Sequence, residues 1–256
     1  MNDIDIKLYD TIFKRKSFHL FLNVGNEKIS DCELALIERA FKGFTPLFPD
    51  VKTAIRIVPE SETSCRRGAQ YCILLYSEKK DGYLQNIGYL GEQLDLYLPS
   101  LNIGALWFGL GRTKEKSFDG LEYTIMIAIR KIDDDTKFRK DMLKSKRKPV
   151  EEIWEGETIG GVTDVVRFAP SACNSQPWKV VNDGNDLFVY RRQKPGKVGI
   201  MPANLVSYFN RMDMGIFLCF MDLCLKRNGK EYIREAFCDS GECLDATLNA
   251  VYRSKR

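Results

Sequence analysis

The sequence predicts an α+β fold: mixed β-sheets flanked by helices, arranged as two pseudo-repeats in one chain. Two observations carry this. Strand-like stretches come in neighbouring pairs with no helix between them, 54–58 with 70–76 and 178–182 with 186–191. Each pair follows a helical stretch and precedes a long helix and a further strand, so both halves have the same order of elements.

Residues 8–22 read as an amphipathic helix, with Leu8, Ile12 and Phe13 on one side and a donor-rich stretch, Arg15-Lys16-Ser17-Phe18-His19, within it. Residues 31–42 form a second helix with Ser30 or Asp31 as N-cap, ended by Gly43 and Pro46. The stretch 54–58 alternates as a strand, and 70–76 reads as a more buried one. Residues 83–101 form the longest helix of the first half, with Leu84, Ile87, Gly88, Gly91, Leu94, Asp95 and Leu98 on one stripe. Each glycine costs the helix roughly 1 kcal/mol against alanine. On the buried stripe they let another helix approach closely, which predicts a tight helix pair. An apolar helix-to-strand turn follows at 101–110, then a strong strand at 121–130 and a charged loop at 133–148. The second half gives a helix at 162–169, strands 178–182 and 186–191, a helix over about 207–227 and a strand at 244–253. In its long helix Gly215, Phe217, Leu218, Phe220 and Leu223 again make an apolar stripe.

Between the helix at 162–169 and the strand at 178 lies Ala169-Pro170-Ser171-Ala172-Cys173-Asn174-Ser175-Gln176-Pro177-Trp178. Pro170 lacks an N–H and biases Ala169 away from helical backbone, so the helix should stop there. Ser171 and Ala172 are too small to keep a ligand off the backbone, while Asn174 and Gln176 add amide donors and acceptors. Such a turn can press closely on a flat polar ligand. This decapeptide resembles the signature of the nitroreductase family of FMN-dependent oxidoreductases: Ala-Pro-Ser, one or two small residues, Asn, a spacer, then Gln-Pro-Trp.

Three other segments extend the resemblance. Arg15, Lys16, Ser17 and His19 lie where that family has Arg-x-Ser-x-Arg, which holds the FMN phosphate and the pyrimidine edge. Arg15 and Ser17 could supply charge-assisted donors to a phosphate. His19 departs from the family's arginine or lysine, and a histidine can be neutral at pH 7. On the residues alone this stretch reads first as a solvated basic helix face. The stretch around Trp107, Gly109 and Leu110 is similar to the family's Trp-Leu-Gly-Gly segment, in which a backbone N–H reaches flavin N5; Leu110 departs from the second glycine. The run Lys144-Ser145-Lys146-Arg147-Lys148-Pro149 is similar to the family's C-terminal Arg-Lys-Pro, whose arginine grips the phosphate. That makes Arg147 the candidate, with Lys146 beside it. Arg66, in the 61–68 connection, is a weaker candidate for the pyrimidine edge and is equally a solvated loop arginine.

The resemblance implies a site assembled from two subunits in the usual homodimer. Here the phosphate and N5 segments lie in residues 15–147, while the turn of Pro170, Ser171, Ala172 and Asn174 lies beyond them. The first half has Phe44-Thr45-Pro46-Leu47-Phe48-Pro49 where such a turn belongs. The implied architecture is a fused pseudo-dimer with one FMN, its halves at 1–148 and 149–256, working as a monomer.

Composition limits the partners. A hydrophobic share of 44% with mixed charges suits an ordinary globular protein, and 256 residues can bury a large core. The formal charge of +4 is mild, and no zinc-finger spacing or RNA-binding aromatic box occurs, which argues against nucleic acid. No apolar run approaches the ~20 residues that span a bilayer. The acidic start Met1-Asn2-Asp3-Ile4-Asp5 is unlike a secretory leader, and the eight cysteines form no Cys-x-x-Cys pair. They read as reduced thiols in a cytoplasmic protein, with no metal site or iron–sulfur cluster. The reaction that the nitroreductase resemblance implies passes a hydride from NADH or NADPH through FMN to a small electron-poor acceptor, such as a nitroaromatic or a quinone. It needs no side-chain acid, so no catalytic residue is named. Two other readings stay open: an FMN-binding storage or redox-sensing protein without efficient turnover, and a globular domain without cofactor.

Overall fold

The computed structural model describes residues 4–142, 145–192, 198–242 and 245–254. Lys144 of the basic run, Cys243, Leu244 and the first three residues lie outside them. Two five-stranded sheets organise the chain. The first holds β1 (Thr53–Pro59), β2 (Tyr71–Ser77), β3 (Ile103–Phe108), β4 (Ser117–Phe118) and β5 (Leu121–Lys131), in the order β1-β2-β5-β3, with β4 also on β5. The second runs β6-β7-β8-β10-β9, from β6 (Trp154–Glu155), β7 (Trp178–Asn182), β8 (Leu187–Arg192), β9 (Tyr232–Ala236) and β10 (Ala246–Ser254). Setting aside the two-residue strands, both sheets place their four strands in the same order: first, second, fourth, third.

The helices are α1 (Leu8–Thr11), α2 (Asp31–Gly43), α3 (Tyr83–Tyr97), α4 (Val150–Ile153), α5 (Thr163–Val166) and α6 (Ala203–Arg227). Ser30 is the N-cap of α2: it accepts from the Glu33 N–H, and the Glu33 carboxylate accepts from the Ser30 N–H. The predicted tight helix pair is α3 on α6, the most extensive helix contact in the molecule. A Cβ on Gly88 would lie 2.0 Å from the Met212 carbonyl oxygen, and one on Gly215 would lie 1.9 Å from the Gln85 carbonyl oxygen. Each helix therefore presses its backbone onto the other's glycine. Gly91, on the same predicted stripe, instead makes room for the Trp107 ring, 2.4 Å from where a Cβ would stand.

Several element boundaries differ from the sequence expectation. The helix expected at 8–22 stops after one turn, because Phe18 and Phe21 leave it to enter a buried aromatic group with Phe138. Residues 98–101 tighten into a 3-10 turn, and 103–108, expected as a turn, pair with β5 as β3. The 162–169 helix shortens to α5. The strand β9 was not foreseen: Ile233 and Glu235 face outward on an edge and leave little buried pattern to read.

The cores interleave the two halves. Ile4, Leu8 and Ile12 pack with the second sheet's core, around Trp178, Phe217 and Phe220. Val206, Phe209 and Met212 of α6 pack with the first sheet's core, around Ile73, Ile127 and Leu94. The cysteines Cys32, Cys65, Cys72, Cys173, Cys219, Cys224 and Cys238 are free thiols. Among the described residues no helix is long and apolar enough to cross a membrane.

Candidate functional site

The turn after α5 forms from conflicting local demands. Cys173, Asn174 and Gln176 have φ of 51°, 54° and 46°, the left-handed region that costs an L-residue roughly 1–2 kcal/mol. Asparagine tolerates it; cysteine and glutamine do so less readily. Hydrogen bonds hold the shape. The Gln176 N–H donates to Ser171 Oγ at 3.0 Å, and the Lys148 N–H donates to Gln176 Oε1 at 2.9 Å. The Ala172 N–H donates to Asp213 Oδ1 at 2.9 Å, and the Ser175 hydroxyl lies 3.2 Å from Asp213 Oδ2. Asp213 is 3% exposed, and burial pushes its carboxyl up to about 7 despite these two bonds, which lower it.

Opposite the turn, residues 15–19 run beside β3. Ser17 bridges Ala105, and the Phe18 N–H donates to the Ala105 carbonyl at 3.0 Å. Arg15 is buried. Its Nε donates to Asp95 Oδ2 at 2.8 Å and its Nη2 to Ser17 Oγ at 3.0 Å. Trp107 Nε1 donates to the same Asp95 oxygen at 3.0 Å. Glu92 is fully buried, with Oε1 3.9 Å from Arg15 Nε; desolvation and then Asp95 raise its carboxyl well above the usual range.

Between these walls lies a cavity of about 520 Å³. Arg15, Ser17 and His19 line one side, and Pro170, Ser171 and Ala172 line the other. Trp107, Gly109 and Leu110 also line it, as do Phe209, Met212 and Asp213 of α6. A Cβ on Gly109 would stand 2.8 Å from the Phe209 ring, so the glycine lets that ring approach. Leu110 and Ile200 are exposed at the mouth.

Five expected site residues do not line the cavity. Lys16 turns away, donating to the Lys137 carbonyl at 2.8 Å and lying 5.0 Å over the Phe18 ring. Arg147, Lys146 and Asn174 form a second group beside the turn. Arg147 Nη1 donates to Asn174 Oδ1 at 2.8 Å, and Asn174 Nδ2 donates to the Lys146 carbonyl at 3.0 Å. Arg66 is likewise turned inward, donating to the Thr63 carbonyl at 2.8 Å. Its neighbour Arg67 lines the cavity instead, its guanidinium 5.6 Å over the Phe108 ring. One residue's offset in a loop reverses which arginine faces the cavity, and no periodicity in a loop marks it.

The second group is strongly basic. Arg139 donates through Nε to the Arg15 carbonyl at 2.9 Å, and Arg167 donates through Nη2 to the Lys148 carbonyl at 2.9 Å. Burial, then Arg15, Arg139 and Arg167, pull Arg147 down to about 10. The Nε atoms of Arg147 and Arg167 are buried without a hydrogen-bond partner. Among the described residues no carboxylate pairs with Arg139, Arg147 or Arg167. Sequence reading missed Arg139, Arg167 and Asp213. The arginines sit in ordinary-looking charged stretches, and Asp213 is one polar residue on an otherwise apolar helix face. Among the described residues no group of His, Cys, Asp and Glu side chains is arranged to hold a metal ion.

Residues 7–224 match a family model described as "Putative TM nitroreductase". The chain belongs to this nitroreductase family. The fold agrees: the crystal structure of a "putative nitroreductase" from Thermotoga maritima superposes with a TM-score of 0.61 at 19% identity, covering 96% of this chain and 93% of that one. A nitroreductase family protein from Clostridium difficile matches at a TM-score of 0.45 and 14% identity, over 60% of this chain and 99% of its own. A "putative nitroreductase" from Desulfovibrio desulfuricans, solved in complex with FMN, matches at 0.41 and 19%, over 59% and 97%. No curated protein matches this nitroreductase-family chain.

Proposed function

We propose that this chain is an FMN-dependent oxidoreductase that takes hydride from NADH or NADPH and reduces a small electron-poor acceptor, a nitroaromatic or a quinone. The observation that carries the reading is one cavity that gathers Arg15, Ser17, His19, Trp107, Gly109 and Leu110 from one half with Pro170, Ser171 and Ala172 from the other. The residues present fit the cofactor. Arg139, Arg147 and Arg167 crowd like charges without a carboxylate, an arrangement that a phosphate dianion relieves. FMN, when bound, supplies hydride acceptance and release at its N5.

The chain's own residues bind, orient and shield. Arg147 and Arg139 would hold the phosphate. Arg15 has committed Nε to Asp95 and Nη2 to Ser17, so it contributes as a buried cation at the cavity wall. Arg67 and His19 would face the polar edge of the ring system, where a cation favours the reduced, more negative form. Phe209, Met212 and Ile216 keep water from one side of the cavity.

The same proposal takes the chain as a fused pseudo-dimer, 1–148 and 149–256, with one cofactor and no need of a second copy. The shared strand order of the two sheets and the reciprocal contacts of Gly88 and Gly215 support this reading. A reducing, cytoplasmic setting goes with it, supported by the free thiols. The test is an absorption spectrum of the FMN-loaded protein, followed by anaerobic mixing with NADH and with NADPH. Bleaching of the flavin band within seconds and reoxidation by a nitroaromatic or quinone is expected. A stable flavin band untouched by either nucleotide would make the protein a binder without turnover, and colourless protein that takes up no FMN would end the flavin reading.

A further inference from the structure

Asp213 is the buried acid of the cavity wall that the proposed hydride transfer does not use. Its place has a counterpart in the other half. Asp213 stands two residues before Gly215 on α6, and Asn86 stands two residues before Gly88 on α3. Asn86 Oδ1 accepts from the Leu47 N–H at 2.9 Å and the Phe48 N–H at 3.0 Å, holding that stretch onto α3. Asp213 Oδ1 accepts from the Ala172 N–H at 2.9 Å, holding the 170–176 turn onto α6. A neutral amide therefore does on α3 what a carboxyl group does on α6.

The two surroundings differ. The stretch at Leu47 is buried protein, whereas the turn at Ala172 faces the cavity and includes left-handed L-residues that need holding. Among the described residues no cation pairs with Asp213. Arg15, His19 and Arg67 stand on other walls of the cavity, Cys173 lies on the turn, and Arg211 on α6 points to Ser207 and Ser240. On α3, the Tyr89 phenol is engaged with Asp222. None of these groups contributes to the state of the Asp213 carboxyl, which burial and its two hydrogen bonds set. A ligand that fills the cavity removes the remaining water from this carboxyl, and a carboxylate without a cation is then disfavoured further.

We propose that Asp213 is a positioning residue that works as a neutral acid. With its proton on, it holds the 170–176 turn against the ligand as Asn86 holds residues 47 and 48, and ionisation loosens the site. Protonated Asp213 keeps a carbonyl oxygen for the Ala172 N–H and gains an O–H that can donate to Ser175 Oγ, whose own hydroxyl is then free to donate to Asn210 Oδ1, 3.1 Å away. Ligand binding then takes up one proton above neutral pH.

This rests on the flavin reading, and the experiment separates the two. FMN dissociation constants are measured at pH 6.5 and 8.5 for the wild type, Asp213→Asn and Asp213→Leu. The wild-type Kd should rise at least about fivefold more over this range than that of Asp213→Asn, whose amide cannot ionise. The titration of the FMN phosphate is common to both and cancels. Asp213→Leu, without an acceptor for the Ala172 N–H, should bind weakly at both pH values. Parallel pH profiles for the wild type and Asp213→Asn would overturn the proposal. Thermal unfolding without FMN gives an independent reading. The folded carboxyl titrates near 7 and the unfolded one near 3.8, so the wild type should lose stability relative to Asp213→Asn as pH rises from 4 to 7, then stay level. If no FMN binds at any pH, the flavin reading fails and this difference in unfolding still decides whether Asp213 is held neutral; a pH-independent difference would overturn that.

Discussion

Arg147 is held among three other guanidinium groups, with its own Nε buried and unpaired. Such an arrangement is unfavourable in isolation, since like charges in a partly dry site repel without much screening. An anion bound there converts the penalty into charge-assisted hydrogen bonds, worth about 1.5–3 kcal/mol each. Arg147→Gln should therefore weaken FMN binding at least about tenfold, measured by fluorescence titration. Lys16→Gln, removing a cation that lies outside the cavity, should change it by less than about threefold. Equal effects from both would show that general positive charge, and no built phosphate site, attracts the cofactor. Arg15 is another kind of cation: its ion pair with Asp95 is buried, so its loss would strand the Asp95 carboxylate and confound any binding measurement.

The helices α3 and α6 fix the distance between the cavity walls. Trp107, Asp95 and Arg15 are tied to α3, and the turn with Ser171 and Ala172 is tied to α6 through Asp213. Their close approach depends on Gly88 and Gly215, where an added Cβ would meet backbone, which cannot rotate away. Gly215→Ala gains helix propensity of roughly 1 kcal/mol but must push the helices apart, and overpacking of this kind costs about 1–3 kcal/mol or more. The expected outcome is a net loss of stability with a wider cavity: a lower Tm together with weaker FMN binding. A variant with unchanged Tm would show that the helices shift without penalty.

Across the whole molecule, the N-terminal residues Ile4, Leu8 and Ile12 cross to the second sheet's core, and the N-terminal turns of α6 serve the first. The halves are thus unable to part without exposing both cores. A single chain of 29.4 kDa should bind FMN with a stoichiometry of one and sediment as a monomer at low micromolar concentration. Two FMN per chain would mean that the place around Asp222, Arg234 and Tyr252, seven residues beyond Gly215 as Asp95 is beyond Gly88, also holds a cofactor. The polar groups of that place are engaged with one another: the Tyr89 and Tyr252 hydroxyls both donate to Asp222, at 2.5 and 2.8 Å, and Arg234 pairs with it; the cavity beside them, about 230 Å³, is less than half the size of the one at the turn.

Sequence alone determined the features that local chemistry dictates. Pro170 stops a helix whatever surrounds it, Ser30 caps one, and the apolar alternation of 121–130 makes a strand; the family resemblance of the decapeptide followed from contiguous residues. The close approach at Gly88 was legible because glycine on a buried stripe marks a place where something comes near the backbone; that Gly88 meets a helix and Gly91 the Trp107 ring was not. Tertiary structure decided what depends on neighbours distant in the chain. Phe18 breaks the expected helix because a pocket with Phe21 and Phe138 rewards it more than one further turn would. Arg67 and not Arg66 faces the cavity, and the Asp213 carboxyl is pushed up to about 7, because burial and partner groups exist only after the chain has closed around them.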